Sequence, residues 1–421
     1  MPNIQKMKRA KFGFRILSLF RVYDQSVAFF FFLLLPTQLA KHFFFDFSYL
    51  SGIRVDYLAI KLYVIDLVVL CSIIWHLPFL IHKLKNTKVV IIGGILLLNL
   101  LLSQSKIITW YQSIRIFEMI LVVILVSLWV KNKWFGKTFL TASLMASMVQ
   151  LGIAVIQLSK KGSIQGIFYF IGERFFTAAT PGIARASIEG MEFVRPYATF
   201  SHPNSLGGFY LLLYVIVLTF PIFSRYHYLK TAVLGVSALL IFISFSKIAI
   251  FGFLFINLIF YIRENKTRNC ILCLISKLFI FIVLGLIFFS VQSDPKSLEK
   301  RLALNKTAIT VIRKYPISGT GLGAYLPVQN VFPQQFIDII NQPVHNIFLL
   351  LIAETGIPLF FFILFIFRSD LIKMVHNIPL PFLAFVITGS FDHYWLTLMQ
   401  NILLAVTVLG IYRGSKAFLA S

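Results

Sequence analysis

Apolar positions in this chain gather into long runs and rarely alternate. The run from Leu206 to Phe223 approaches the thickness of a bilayer core and lacks the two-residue period of a barrel strand. Lipid offers no hydrogen bonds to a crossing backbone, so only helices and closed barrels span it, and runs of this kind predict helices. Twelve such runs stand at roughly 26–41, 58–80, 89–104, 114–130, 138–158, 205–223, 231–245, 248–262, 273–291, 345–367, 379–391 and 396–412. The expected fold is all-α: a polytopic membrane protein of about twelve spans, forming one integral membrane domain over 1–421.

The polar punctuation orients these spans. With the N-terminus in the cytoplasm, the inner segments are the N-terminal arm, His82 to Lys88, Lys131 to Lys137, Ser224 to Lys230, Arg263 to Asn269, Arg368 to Asn377 and the tail after Tyr412. Each carries at least two Lys or Arg, whereas the outer turn before the fourth run has only Lys106. Both termini are then cytoplasmic, and two long loops, 159–204 and 292–344, lie outside. The N-terminal arm is basic from Lys6 to Arg21 and no small-residue cleavage site follows its apolar run, so it reads as an uncleaved first span.

Composition sharpens the picture in two ways. Of 421 residues 58% are hydrophobic and the mean hydropathy is +0.86, as a membrane protein requires, while the formal charge is +24. Cytoplasmic charge fixes orientation and meets anionic lipid head groups. The outer loops are also net positive: Lys160, Lys161, Arg174, Arg185 and Arg195 outweigh Glu173, Glu189 and Glu192, and Lys296, Lys300, Arg301, Lys306, Arg313 and Lys314 outweigh Asp294, Glu299 and Asp338. That excess points to an anionic ligand; no nucleic-acid module is present. Cys71, Cys270 and Cys273 imply no disulfide framework, and the CxxC spacing of the last two lacks a second ligand pair, so it reads as helix packing.

In the second loop, Asp294-Pro295 makes a good helix start and Tyr315-Pro316 a stop. Between them Leu298, Leu302, Leu304, Ile309 and Ile312 recur at near-helical spacing among basic residues, which predicts an amphipathic helix along the outer surface. Gly319, Gly321 and Gly323 follow in PISGTGLGAY; without a preceding strand and a following helix they predict a tight turn rather than a dinucleotide site. His345 and Asn346 stand at the lip of the tenth run, with Glu354 roughly 13 Å deeper at the standard helical rise. Taken alone, His345 reads as an interfacial hydrogen-bonding residue, and so do His202 and the pair Asp392-His393. Asp66, Glu118 and Glu354 are acids within apolar runs.

Four segments in this order, RPYATFSHPNSLGGFYLLL (195–213), FISFSKIAIFGFL (242–254), KRLALNKTAITVIRKYPISGTGLGAY (300–325) and VHNIFLLLIAETGIP (344–358), resemble the O-antigen ligase and polysaccharide polymerase superfamily of bacterial membrane proteins. The resemblance covers roughly the second half of the chain. It departs at Ser246-Lys247, where the family commonly has Ser-Arg, which keeps the charge but weakens a bidentate grip on phosphate. What it implies is a GT-C-like, inverting glycosyltransferase that needs neither metal nor cofactor and works on the outer face of the bacterial cytoplasmic membrane. Its donor would be a glycan on polyprenyl diphosphate, its acceptor a glycan or lipid-linked glycan, with membrane lipids around it.

By position Arg195, Arg301 and His345 correspond to the family's functional arginines and histidine, with Lys247, His202, Asn204 and Asn346 as further substrate-binding residues. Arginine suits a leaving diphosphate because it stays charged and its planar fork holds two oxygens. A neutral imidazole can take the proton of an acceptor hydroxyl. Ligase and polymerase remain equal alternatives within this reading. A transporter or flippase of a lipid-linked anionic glycan, and a glycan polymerase using Asp294 or Asp338 as base, stand outside it.

Overall fold

The structure is a computed structural model that describes residues 21–188, 190–265, 282–283, 285–286, 291–293, 296–333 and 341–419. The Lys6 to Arg21 arm up to residue 20, Glu189, the Cys270 and Cys273 pair, most of the ninth run, the Asp294-Pro295 helix start and Asp338 lie outside the described residues. The rest is mostly helical with little strand. In chain order the helices are α1 (residues 21–34), α2 (Val64–Leu84), α3 (Thr87–Leu102), α4 (Lys106–Trp129), α5 (Phe135–Lys160), α6 (Pro203–Thr219), α7 (His227–Ile243) and α8 (Lys247–Asn265). They continue with α9 (Ser297–Lys314), α10 (Tyr325–Gln329), α11 (Ile347–Thr355), α12 (Ile357–Asn377), α13 (Pro379–Gly389), α14 (Tyr394–Thr397) and α15 (Met399–Leu419). Among the described residues α2, α4 and α5 are long and apolar enough to cross a membrane, and α11 with α12 makes a fourth if a bent pair counts as one span. Helices α3, α6, α7 and α13 are apolar but shorter, so length and composition mark fewer spans than the twelve runs predict.

One apolar core joins α1, α4, α5, α6, α7, α8, α13 and α15, with Phe31, Trp129, Phe139, Tyr210, Leu240, Ile256 and Leu404 at its centre. Gly207 and Gly208 let α6 sit close to its neighbours. A side chain at Gly207 would meet Ser244, Ser246 and Ala249 of the α7–α8 turn, and one at Gly208 would overlap the Tyr394 hydroxyl. The two glycines thus admit protein groups, and those groups hold the end of α6 that carries His202 and Asn204.

Two expectations change. The first run does not continue to residue 41, nor does the second begin at 58. Instead β1 (Ala40–Phe43) pairs antiparallel with β4 (Ile60–Tyr63), enclosing a smaller hairpin of β2 (Tyr49–Leu50) and β3 (Ile53–Arg54). Polar residues interrupt the apolar run here, and Ser51-Gly52 turns the chain with φ of 50° and 78°, the left-handed pair that a tight hairpin favours. Likewise the tenth run is broken. Helices α11 and α12 meet at Gly356, φ 78°, at an angle of 113°. Glu354 therefore lies at an elbow, not part-way down a straight span.

The glycine turn explains the elbow. Thr320 N donates to Ala353 O at 2.9 Å, Gly321 N to Glu354 O at 2.9 Å, and Ile357 N to Pro316 O at 2.8 Å, so the carbonyls and amide freed at the break are satisfied. The turn also seats on α3 and α4: Asn99 Oδ1 accepts from Leu322 N at 2.9 Å, and a side chain at Gly321 would overlap Ser103 and Thr109. The expectation of a tight turn holds, with φ of 62°, 96° and 73° at Gly319, Gly321 and Gly323.

The all-α expectation also misses a three-stranded sheet. It is ordered β6 (Met191–Val194), β5 (Arg185–Ile188), β7 (Gln292–Ser293). Its register sets Ala186 opposite Ser293, so the first long loop is tied to the beginning of the second.

Candidate active site

One end of the bundle gathers the starts of α6, α8 and α15 with the ends of α5, α7 and α13, and there the polar residues of both long loops converge. Two glutamines of α5 set the first loop. Gln157 Oε1 accepts from Tyr197 N at 2.9 Å and Ala198 N at 2.8 Å, and Gln150 Oε1 accepts from Thr199 N at 3.1 Å. Gln157 Nε2 also donates to the buried Glu173 at 2.7 Å, whose carboxylate accepts from Ile164 N and Gln165 N. The loop thus enters α6 on a fixed path.

The His-Pro-Asn start of α6 is a cap. His202 Nδ1 accepts from Asn204 N at 3.1 Å and Pro203 occupies the first turn, where its missing N–H costs nothing. That bond leaves the proton on Nε2. Asn204 then bridges charges: its Oδ1 accepts from Arg195 Nη2 at 2.8 Å and its Nδ2 donates to Asp392 Oδ2 at 3.1 Å. Arg195 is buried, with Nε on Ser244 O at 3.0 Å. Burial lowers its guanidinium to about 10, with the Arg301 charge adding to the effect, so it stays positive near neutrality.

Arg301 projects from α9, half-buried, with Nη1 on the carbonyl of Phe391 at 2.5 Å. Its place on the helix is informative. Leu304, Ala308 and Val311 face the protein, while Leu298, Leu302 and Ile309 form an exposed apolar stripe. Arg301 falls on the border between the two faces at 100° per residue. It is close enough to Arg195 for the two charges to repel.

His345 stands just before α11. Asn346 caps that helix, accepting from Phe348 N at 2.9 Å and Leu349 N at 3.0 Å, and its Nδ2 donates to Ser390 O at 3.1 Å. The Asn346 amide is thus engaged in aiming its neighbour. The His345 ring lies 5.1 Å from the His393 ring at 73°. Its buried Nδ1 has no well-aligned hydrogen bond, although the Pro343 carbonyl is near enough to raise its proton affinity. Burial outweighs this and lowers His345 to about 3; burial also lowers His202 to about 3, with Arg195 reinforcing it, so both rings are neutral near pH 7.

Asp392 sits at the centre. Burial pushes its carboxyl up, but His345, His393, His202 and Arg301 pull harder and the net direction is down. Asp392 Oδ1 accepts from His393 N at 2.8 Å. His393 Nδ1 pairs with Thr397 Oγ1 at 2.7 Å, and since that hydroxyl also donates to His393 O, Nδ1 is the donor and Nε2 the open acceptor. The ligating atoms of His345, Asp392 and His393 all lie within 4.8 Å of one another, a set that could hold a metal ion although the sequence spacing carries no metal pattern.

Residues 231–364 match the family model described as O-antigen ligase. The match spans about a third of the chain and supports a likeness to the O-antigen ligase superfamily, and with the apolar helices it points to a multi-pass membrane protein. It takes in α7 to α9, the glycine turn, His345 and the elbow, whereas Arg195, His202, Asn204, Asp392 and His393 lie outside it. No curated protein and no solved structure matches.

The structure brings together Arg195, Arg301, His345, His202, Asn204 and Asn346. Lys247 is different: it is exposed at the start of α8 and makes no hydrogen bond or ion pair among the described residues. Sequence reasoning undervalued Asp392 and His393. Their adjacency in a short turn between two apolar runs was the available signal, but only the fold puts them beside Asn204 and His345.

Proposed function

We propose that the protein moves a glycan from a polyprenyl diphosphate carrier to an acceptor hydroxyl, as a ligase or a polymerase of surface polysaccharide units. The observation that carries this reading is two mutually repelling arginines beside a neutral histidine, at the edge of an exposed apolar stripe. Repelling cations fixed in this way favour an anion with more than one charge. Arg195 lacks a protein acceptor on Nη1, and Arg301 on all but one N–H, among the described residues. A diphosphate would fill those donors while its polyprenyl tail lies along Leu298, Leu302 and Ile309.

Chemistry follows from these positions. The acceptor oxygen bonds to the sugar C1 on the face opposite the diphosphate, the C1–O bond to phosphate breaks, and its electron pair leaves with the diphosphate between the arginines. The acceptor proton passes to His345. Asp392 stabilises the imidazolium that forms, and Asn204 ties Asp392 to Arg195 so that acid, base and cation keep one geometry. Inversion at C1 results. In this reading the site faces outward from the bacterial inner membrane with both termini in the cytoplasm, an orientation that the Lys and Arg of the short inner segments support.

The arginines supply the charge a metal would otherwise bring, and both Asp392 oxygens are engaged in hydrogen bonds. The test is mass spectrometry of the product formed in proteoliposomes from a polyprenyl-diphosphate-linked oligosaccharide, with lipid A–core or a second lipid-linked unit as acceptor, with and without chelator. Transfer that persists in chelator is expected. Activity lost in chelator and restored by a divalent ion would place an ion at His345, Asp392 and His393.

The elbow between α11 and α12 favours a second reading, because broken helices recur in carriers. In that case the donor would cross the bilayer unchanged, and no new linkage would form. The position of the charges at one end of the bundle supports transfer over transport.

A further inference from the structure

We propose that Tyr57 is the sugar-binding platform on the acceptor side of this site, its ring face taking the acceptor sugar and its hydroxyl hydrogen-bonding one of that sugar's oxygens. The inference rests on the glycan-transfer reading above. It concerns the nested hairpins between α1 and α2, which lie outside the family match.

Position is the first ground. Tyr57 belongs to the 3-10 turn Asp56–Leu58, and its ring lies 5.5 Å from the His393 ring at 79°. His393 in turn lies 5.1 Å from His345. Three rings therefore lead from Tyr57 to the base. Burial is the strongest influence on the Tyr57 hydroxyl and raises its pKa, and the groups whose charges act on it are Asp392, Arg174, Asp56 and Tyr197. Since the base receives the acceptor's proton and the arginines hold the donor's diphosphate, a group reaching the site through the histidines meets the acceptor.

Unused chemistry is the second. The hydroxyl of Tyr57 makes no hydrogen bond among the described residues, and unlike the hydroxyls of Tyr210, Tyr325 and Tyr394 it is not enclosed. A half-buried ring whose hydroxyl is unpaired and not fully enclosed offers a sugar both things it needs, an apolar face for its C–H groups and a polar tip to orient it.

Mounting is the third. Leu50, Val55 and Leu58 of the hairpin segment pack with Ala308 and Val311 of α9, and with Val344 next to His345. Asn330 Nδ2 donates to Ser51 Oγ at 3.0 Å. Tyr57 is thus registered on the same body as Arg301 and His345.

The experiment measures initial rates in proteoliposomes over a range of lipid A–core acceptor and, separately, of a lipid-linked repeat unit as acceptor, at saturating polyprenyl-diphosphate-linked donor, and then over a range of donor at saturating acceptor. Tyr57→Phe keeps the ring and its edge contact with His393. It should raise the acceptor KM about fivefold, the scale of one neutral hydrogen bond, with kcat, donor KM and melting temperature unchanged. Tyr57→Ala should raise the acceptor KM further, and Tyr57→Trp should restore part of that loss. An unchanged acceptor KM in Tyr57→Phe, or a rise confined to the donor KM, overturns the inference. Arg301→Ala and His345→Ala run alongside: if they are inactive while Tyr57→Phe is normal, glycan transfer stands and only the platform falls. Normal turnover in both removes the transfer reading itself, whatever Tyr57 does.

Discussion

Two partly buried groups of charges among the described residues are built differently. Between α2 and α4, Arg115 Nη1 meets Asp66 and Glu118 at 2.8 Å each, Nε donates to Tyr111 OH at 3.0 Å, and Nη2 donates to the carbonyl of Lys61. Every guanidinium nitrogen has a protein partner. In the other group Arg195 and Arg301 rest on carbonyls and an amide, and Asp392 forms no ion pair with either among the described residues. The first group leaves no cation donor open, although Asp66 Oδ1 is buried without a partner among the described residues, and it fixes α2 to α4 and to the hairpin above them. The second is open, so its charges remain available to something else. Net charge does not separate structure from function here; unfilled hydrogen-bonding capacity does.

The largest expected difference comes from deleting one member of each group. Arg301→Ala or His345→Ala should cut glycan transfer by about a hundredfold or more, the scale of losing a transition-state partner, with normal yield and melting temperature. Arg115→Ala should instead cost folded protein, by about 3–5 kcal/mol, because it strands two carboxylates. Detergent-solubilised yield and thermal unfolding, measured beside turnover, distinguish the two patterns.

A second variant sharpens the contrast. Replacing Arg115, Asp66 and Glu118 together with Met, Asn and Gln removes the stranded charges and should recover most of the stability, with turnover near wild type. If this triple variant folds but does not turn over, the first group is part of the mechanism.

Acid should act on the open group next. The folded protein refuses protons at His202 and His345 until about pH 3, whereas the unfolded chain takes them up near 6.5. More protons bind to the unfolded state between those values, so stability falls as pH drops through that window. For the same reason the acid limb of kcat/KM should fall well below 6.5. A midpoint at 6.5 would mean that the base is a solvated histidine. The smallest effect belongs to Lys247→Ala, which removes an exposed charge and should change turnover by less than about threefold.

Much of this was legible in the sequence, for identifiable reasons. The amphipathic pattern of 298–312 and the glycine turn are local, and both formed as their spacing implies within the described residues. The elbow was also written locally, in Thr355-Gly356-Ile357-Pro358, but an apolar run on both sides hid it from a search for continuous spans. The hairpins at 40–63 were masked by five phenylalanines and tyrosines between residues 43 and 49, which raise hydropathy without implying helix. Nothing local could have joined Asn204 to Asp392, 188 residues apart, or set Tyr57 against His393. Those contacts exist only because Gly207 and Gly208 let α6 approach its neighbours and because α9 carries the hairpins.

The central claim is that Arg195 and Arg301 form one open site for a lipid-linked diphosphate. Native mass spectrometry of the purified protein with undecaprenyl diphosphate tests it most directly, comparing wild type, the double variant Arg195→Gln with Arg301→Gln, and the neutralised Arg115, Asp66, Glu118 triple. Binding by the wild type and the triple variant, with loss in the double, is the predicted result. Equal binding by the double variant and the wild type would contradict it.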